Sequence, residues 1–95
     1  MTNAVERGQA GAALRQLALM LESGTAPEMI LGQLGWVVRS KFPDIAPGAA
    51  RGAVESLFRT DVDLKRSTGD PRVLLERLVV EVSDLCASPK MRASG

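Results

Sequence analysis

Ninety-five residues, 45% of them hydrophobic and 24% charged, describe one compact folded domain and exclude the polar, highly charged composition of a disordered chain. The chain has no His and a single cysteine, Cys86, which removes the commonest general base, the commonest metal ligand and any intrachain disulfide. Twelve basic against 11 acidic residues leave a net charge of +1, a balance that argues neither for nucleic acid nor for an acidic solvating tail.

The N-terminus, Met1-Thr2-Asn3-Ala4-Val5-Glu6-Arg7, places an acid early and leads into no apolar signal region. No stretch of the chain approaches the ~20 apolar residues of a membrane span. With one thiol as well, a cytoplasmic location is expected. The first helical pattern runs over about 4–23, with Leu14, Leu17, Ala18 and Leu21 on one face and Gly8 and Gly11 weakening its beginning. Ser23-Gly24 reads as its stop, and Thr25-Ala26-Pro27-Glu28 as a capping box opening a second helix over about 26–42.

That second helix carries Met29, Ile30, Leu31, Leu34, Trp36, Val37, Val38 and Phe42, an apolar surface wide enough to make it the expected central helix. A breaker-rich connection from Phe42 to Gly48 precedes a third helix over about 47–66. Its face is formed by Ala50, Val54, Leu57 and Leu64, with Phe58 and Val62 alongside. Arg66-Ser67-Thr68-Gly69 signals its end. Asp70-Pro71 supplies an N-cap and a first-turn proline for a fourth helix over about 71–86, with Leu74, Leu75, Leu78, Val79, Val82 and Leu85 inward. Residues 87–95, with Pro89 and no apolar periodicity, read as a flexible tail. The expected architecture is therefore all-α: a compact bundle of four main helices with short connections, forming one domain over 4–86.

Little in this sequence can perform chemistry. Cys86 falls on the inward face of the fourth helix, where a free cysteine behaves as a small hydrophobe. Asp61 and Asp63 are two apart and do not share a helix face, whereas Asp61 and Lys65 make an i,i+4 pair. Ser67-Thr68-Gly69-Asp70 lacks the glycine spacing and Lys-Ser/Thr ending of a phosphate loop. The expectation is no catalytic residue, no metal and no cofactor. Arg39, Lys41, Lys65, Arg66, Arg72 and Arg77 keep open a helical nucleic-acid-binding domain, provided that they converge in space. A core stripe of Leu31, Leu34, Val38 and Phe42 on the second helix and of Leu74, Leu78, Val82 and Leu85 on the fourth leaves two surplus apolar pairs, Met29 with Trp36 and Val73 with Val80. These either complete the core or form a partner surface, since exposed apolar patches mark interaction sites and Trp is enriched in interface hot spots.

The order of residues adds a family resemblance. Asp61, Leu64-Lys65, Asp70-Pro71, Leu75-Glu76-Arg77-Leu78 and Cys86 are similar in order and spacing to the C-terminal helical domain of the delta subunit of bacterial DNA polymerase III. Upstream, Ala12-Ala13-Leu14-Arg15-Gln16-Leu17, Leu21-Glu22-Ser23-Gly24, Pro27 and Leu31 to Arg39 resemble that domain's helix, turn and helix, so the similarity spans about 4–86. The connection from Pro43 to Gly48 is richer in proline than the family pattern. The resemblance implies a collar domain that joins the collars of the other clamp-loader subunits in DNA replication. The parent complex has DNA-directed DNA polymerase activity. Clamp opening belongs to an N-terminal domain of the family's subunit, so the resemblance implies one domain of a longer protein, touching the sliding clamp only through that other part. Direct DNA contact and membrane contact are not implied. On this reading Met29, Trp36, Val73 and Val80 are the candidate subunit-facing residues.

Overall fold

The computed structural model describes the backbone of residues 1–94 and the side chains through Ala87. It is all-α, with no strand among the described residues. The helices are α1 (Thr2–Glu6), α2 (Ala10–Glu22), α3 (Pro27–Ser40), α4 (Phe42–Ile45), α5 (Ala50–Arg66) and α6 (Pro71–Ser94), with a 3-10 turn at Pro47–Ala49. Four of these are long, matching the expected count, but their boundaries differ in informative ways. α6 continues past Cys86, where the sequence pattern ends. The tail expected over 87–95 lies, beyond Ala87, outside the described side chains.

The first expected helix, 4–23, is divided. Gly8 takes a left-handed φ of +72°, and a Cβ placed on it would stand 2.9 Å from the Cβ of Ala87. Glycine there allows both the turn and the close approach of α6. The short α1 can then fold back, burying Ala4 and Val5 and touching α2, α3 and α6.

The capping box at Thr25 does not form. The Thr25 amide donates to the carbonyl of Met20 (2.9 Å) and that of Gly24 to Leu21 (3.1 Å), the paired bonds of a Schellman ending for α2. The helix start therefore moves to Ala26, which offers no side-chain cap and whose carbonyl accepts from Met29 and Ile30. At the other expected start the prediction holds. Asp70 accepts the amide of Arg72 through Oδ1 at 2.9 Å, a side-chain N-cap before Pro71. α5 ends at Arg66 as expected, with Ser67 and not Gly69 supplying the left-handed residue, at φ 55°.

The core consists of Leu17 from α2, Ile30, Leu34, Val37 and Val38 from α3, Phe42 from α4, and Leu75, Leu78, Val79 and Val82 from α6. Of the expected stripe Leu31, Leu34, Val38 and Phe42, the last three are buried as expected, and the stripe widens to take in Ile30 and Val37. The combined cover of α1, α5 and α6 reaches Ile30 and Val37, while Leu31 is only half-buried. The expectation that α3 is central is also corrected: α6 touches α1, α2, α3, α5 and the 3-10 turn. On α5 the inward line is Ala50, Ala53, Leu57, Thr60 and Leu64, so Val54, expected inside, faces out.

Two buried hydroxyls lie at the core margin. Thr60 Oγ1 donates to the Ser56 carbonyl at 2.8 Å, one turn back on α5. Ser83 on α6 is fully buried and its Oγ has no hydrogen-bond partner.

Candidate interaction surfaces

α3 and α5 pack against each other, linked through α4 and the 3-10 turn. Between them runs a groove of about 530 Å³. Its floor is Leu31, Gly32, Gly35 and Leu57, its α5 wall is Val54 and Phe58, and its charged rim is Glu28, Arg39, Asp61 and Lys65. Gly35 sits close under α5, since a Cβ there would be 3.5 Å from a Leu57 methyl. Phe58 is 67% exposed and Val54 51%. Burying a side chain of this size stabilises by roughly 1.5–3 kcal/mol, so leaving two of them in water forgoes a substantial contribution.

Met29 and Trp36, the sequence candidates on α3, are both exposed. By helical spacing they share the stripe next to Gly32 on α3, and neither lines the groove itself. The Lys41 ammonium lies 5.3 Å from the centre of the Trp36 ring, a cation–π contact covering part of an otherwise open indole. On α6, Val73 is exposed and Val80 half-buried, and both line a second, shallower groove against Leu14 of α2. Neither of these two grooves is lined by members of both pairs.

Val54 and Phe58 were missed as surface residues because both are apolar and fit a helical period. The residues that share their line decide the matter. Val54, Phe58, Asp61 and Lys65 follow one another along one side of α5, and a line that ends in an ion pair faces water.

Four ion pairs link charged side chains of α5 and α6. Lys65 Nζ lies 3.1 Å from Asp61 Oδ2, as the spacing predicted. Arg72 meets Glu76 at 3.3 Å and Arg77 meets Glu81 at 3.5 Å, both along α6. Arg59 crosses from α5 to the same Glu81. Three of the six basic residues considered for nucleic acid are thus engaged by acids on their own helices. Such exposed pairs contribute only about 0–1 kcal/mol each, but they lower the local positive potential. Asp61 and Asp63 belong to no group of three or more metal-ligating side chains among the described residues. The Cys86 thiol is pushed up to about 11, first by burial and then by the Glu6 carboxylate. It therefore stays protonated near neutrality and is a poor nucleophile. No described helix is long and apolar enough to cross a membrane.

Comparison with family models, with curated proteins and with solved structures finds no match to this chain.

Proposed function

We propose that this chain is a non-catalytic oligomerisation domain, the collar of a DNA polymerase III delta subunit, acting in the cytoplasm to assemble a clamp loader for DNA replication. Supporting it is the apolar surface that remains once the core is filled: Met29 and Trp36 on α3, with Val54 and Phe58 across the groove on α5. An assembly domain needs such a surface, because association buries it and gains the hydrophobic contribution that folding leaves unused. The ordered resemblance from Asp61 to Cys86 supplies the particular assembly. In this reading the partners are the helical collars of neighbouring subunits, and contact with the sliding clamp is made by other domains of the subunit.

Binding of the Trp36→Ala variant to those collars tests the role of the indole. Truncating an interface hot spot costs about 2 kcal/mol or more, so affinity falls roughly thirtyfold while the helical circular dichroism is retained. Unchanged affinity in the folded variant removes Trp36 from the interface. Failure of the unaltered chain to bind any collar domain overturns the proposal itself. Two AAA+-like domains encoded upstream in the gene would be the strongest support.

A further inference from the structure

The α3 side of the groove has a symmetry of its own. Glu28, Gly32, Gly35 and Arg39 follow one another at spacings of four, three and four residues and line one side of the groove. This series has the same spacing in both directions, with an acid at one end and a base at the other. An α-helix rises about 16 Å over that interval, so the two charges stand well apart. A second α3 laid antiparallel, about a two-fold axis level with Gln33 and Leu34, sets Glu28 of each copy opposite Arg39 of the other. The same operation sets Gly32, which is open to solvent, opposite the Arg39 guanidinium that covers the buried Gly35 of the other copy.

Each charge lacks a counterpart among the described residues. Among the described residues neither Glu28 nor Arg39 takes part in an ion pair, whereas Asp61 and Lys65 on the facing rim satisfy each other. The Arg39 guanidinium is folded inward, with Nη1 3.2 Å from where a Cβ on Gly35 would stand. It therefore lies over the groove floor. Phe58 projects from the α5 wall at the level of the proposed axis, because Leu57 packs against Gly35.

We infer that the α3–α5 groove is a self-complementary face that pairs this chain with a second copy of itself about a two-fold axis. An isologous contact repeats every interaction, so one Glu28–Arg39 pairing counts twice and Phe58 is buried from both sides. A helix of another protein would have to carry the same charge order and spacing that α3 already carries. The inference uses only this surface and stands independently of the clamp-loader reading.

Sedimentation velocity of the intact chain across rising concentration tests the pairing, with circular dichroism confirming the fold of each variant. The expected result is a monomer–dimer equilibrium. Glu28→Arg and Arg39→Glu, each creating two like-charge contacts, weaken the dimer about tenfold, and the double variant E28R/R39E restores it. Phe58→Glu, at an exposed site, removes it. A chain that stays monomeric at the highest concentration overturns the inference, as does a dimer that survives Phe58→Glu or a double reversal no tighter than the single ones. A monomer that still binds collar domains would leave the clamp-loader reading intact, and a dimer that binds none would do the reverse.

Discussion

α6 and the α3–α5 face are built from the same kinds of side chain at the same helical spacings, yet they meet opposite fates. Leu75, Leu78, Val79 and Val82 of α6 are all 0% exposed, whereas Trp36 retains 48% and Phe58 67% of its surface. The difference lies in the neighbours. α6 has α1, α2, α3 and α5 around it, so even adjacent positions such as Leu78 and Val79 are both covered. Beyond the outer side of α3 and α5 no further helix follows, and side chains that rise from the groove stay in water. Burial here depends on how many elements surround a residue more than on its hydrophobicity.

Leu78→Ala probes the inner side of this comparison and should have the largest effect. It removes a fully buried side chain from the centre of the core and should lower unfolding free energy by ~2–5 kcal/mol, read as a shift of the urea midpoint at constant slope. A loss below ~1 kcal/mol would mean that α6 is not the packed centre described above. Ser83→Ala sharpens the same side with opposite sign. Its hydroxyl is buried without a partner, so its removal should stabilise by about 1 kcal/mol. A decrease in stability would show that the Oγ makes a hydrogen bond in solution. Phe58→Ser should do least to the isolated fold. Measured at concentrations that favour the monomer, its unfolding midpoint should stay within ~0.5 kcal/mol of the parent, and a core-sized loss would place Phe58 inside.

Much of the local structure was legible along the chain. Asp70-Pro71 announced the start of α6 because a carboxylate acceptor and a first-turn proline act within a few residues, and Oδ1 of Asp70 does take the Arg72 amide. Gly24 likewise marked the end of α2, where it adopts φ +91°. Thr25 shows where such reading fails. Its neighbours spell a capping box, but its amide is committed to the preceding helix, and two local motifs competing for one residue cannot be separated by their spelling. Gly8 fails for a longer-range reason, since its turn is matched to Ala87 at the far end of the domain.

The candidate surface was half legible. Met29 and Trp36 stood out because the apolar residues of α3 exceed one stripe, and they are exposed. Val54 and Phe58 did not, because a hydrophobic period fixes a face of a helix only to within the angle between neighbouring stripes. Leu31, assigned to the core, is half-buried: it packs against the core on one side and lines the groove on the other.

By itself the sequence determined the all-α class, the four long helices, most of their ends and the scarcity of reactive groups. These follow from interactions within a turn or two of each residue and from composition. Only the tertiary structure decided which apolar stripe of α3 and α5 turns inward, that α6 and not α3 is the hub, and that Glu28, Gly32, Gly35 and Arg39 share one groove with Phe58. Those outcomes depend on the mutual rotation and docking of helices, set by the packing of all of them together.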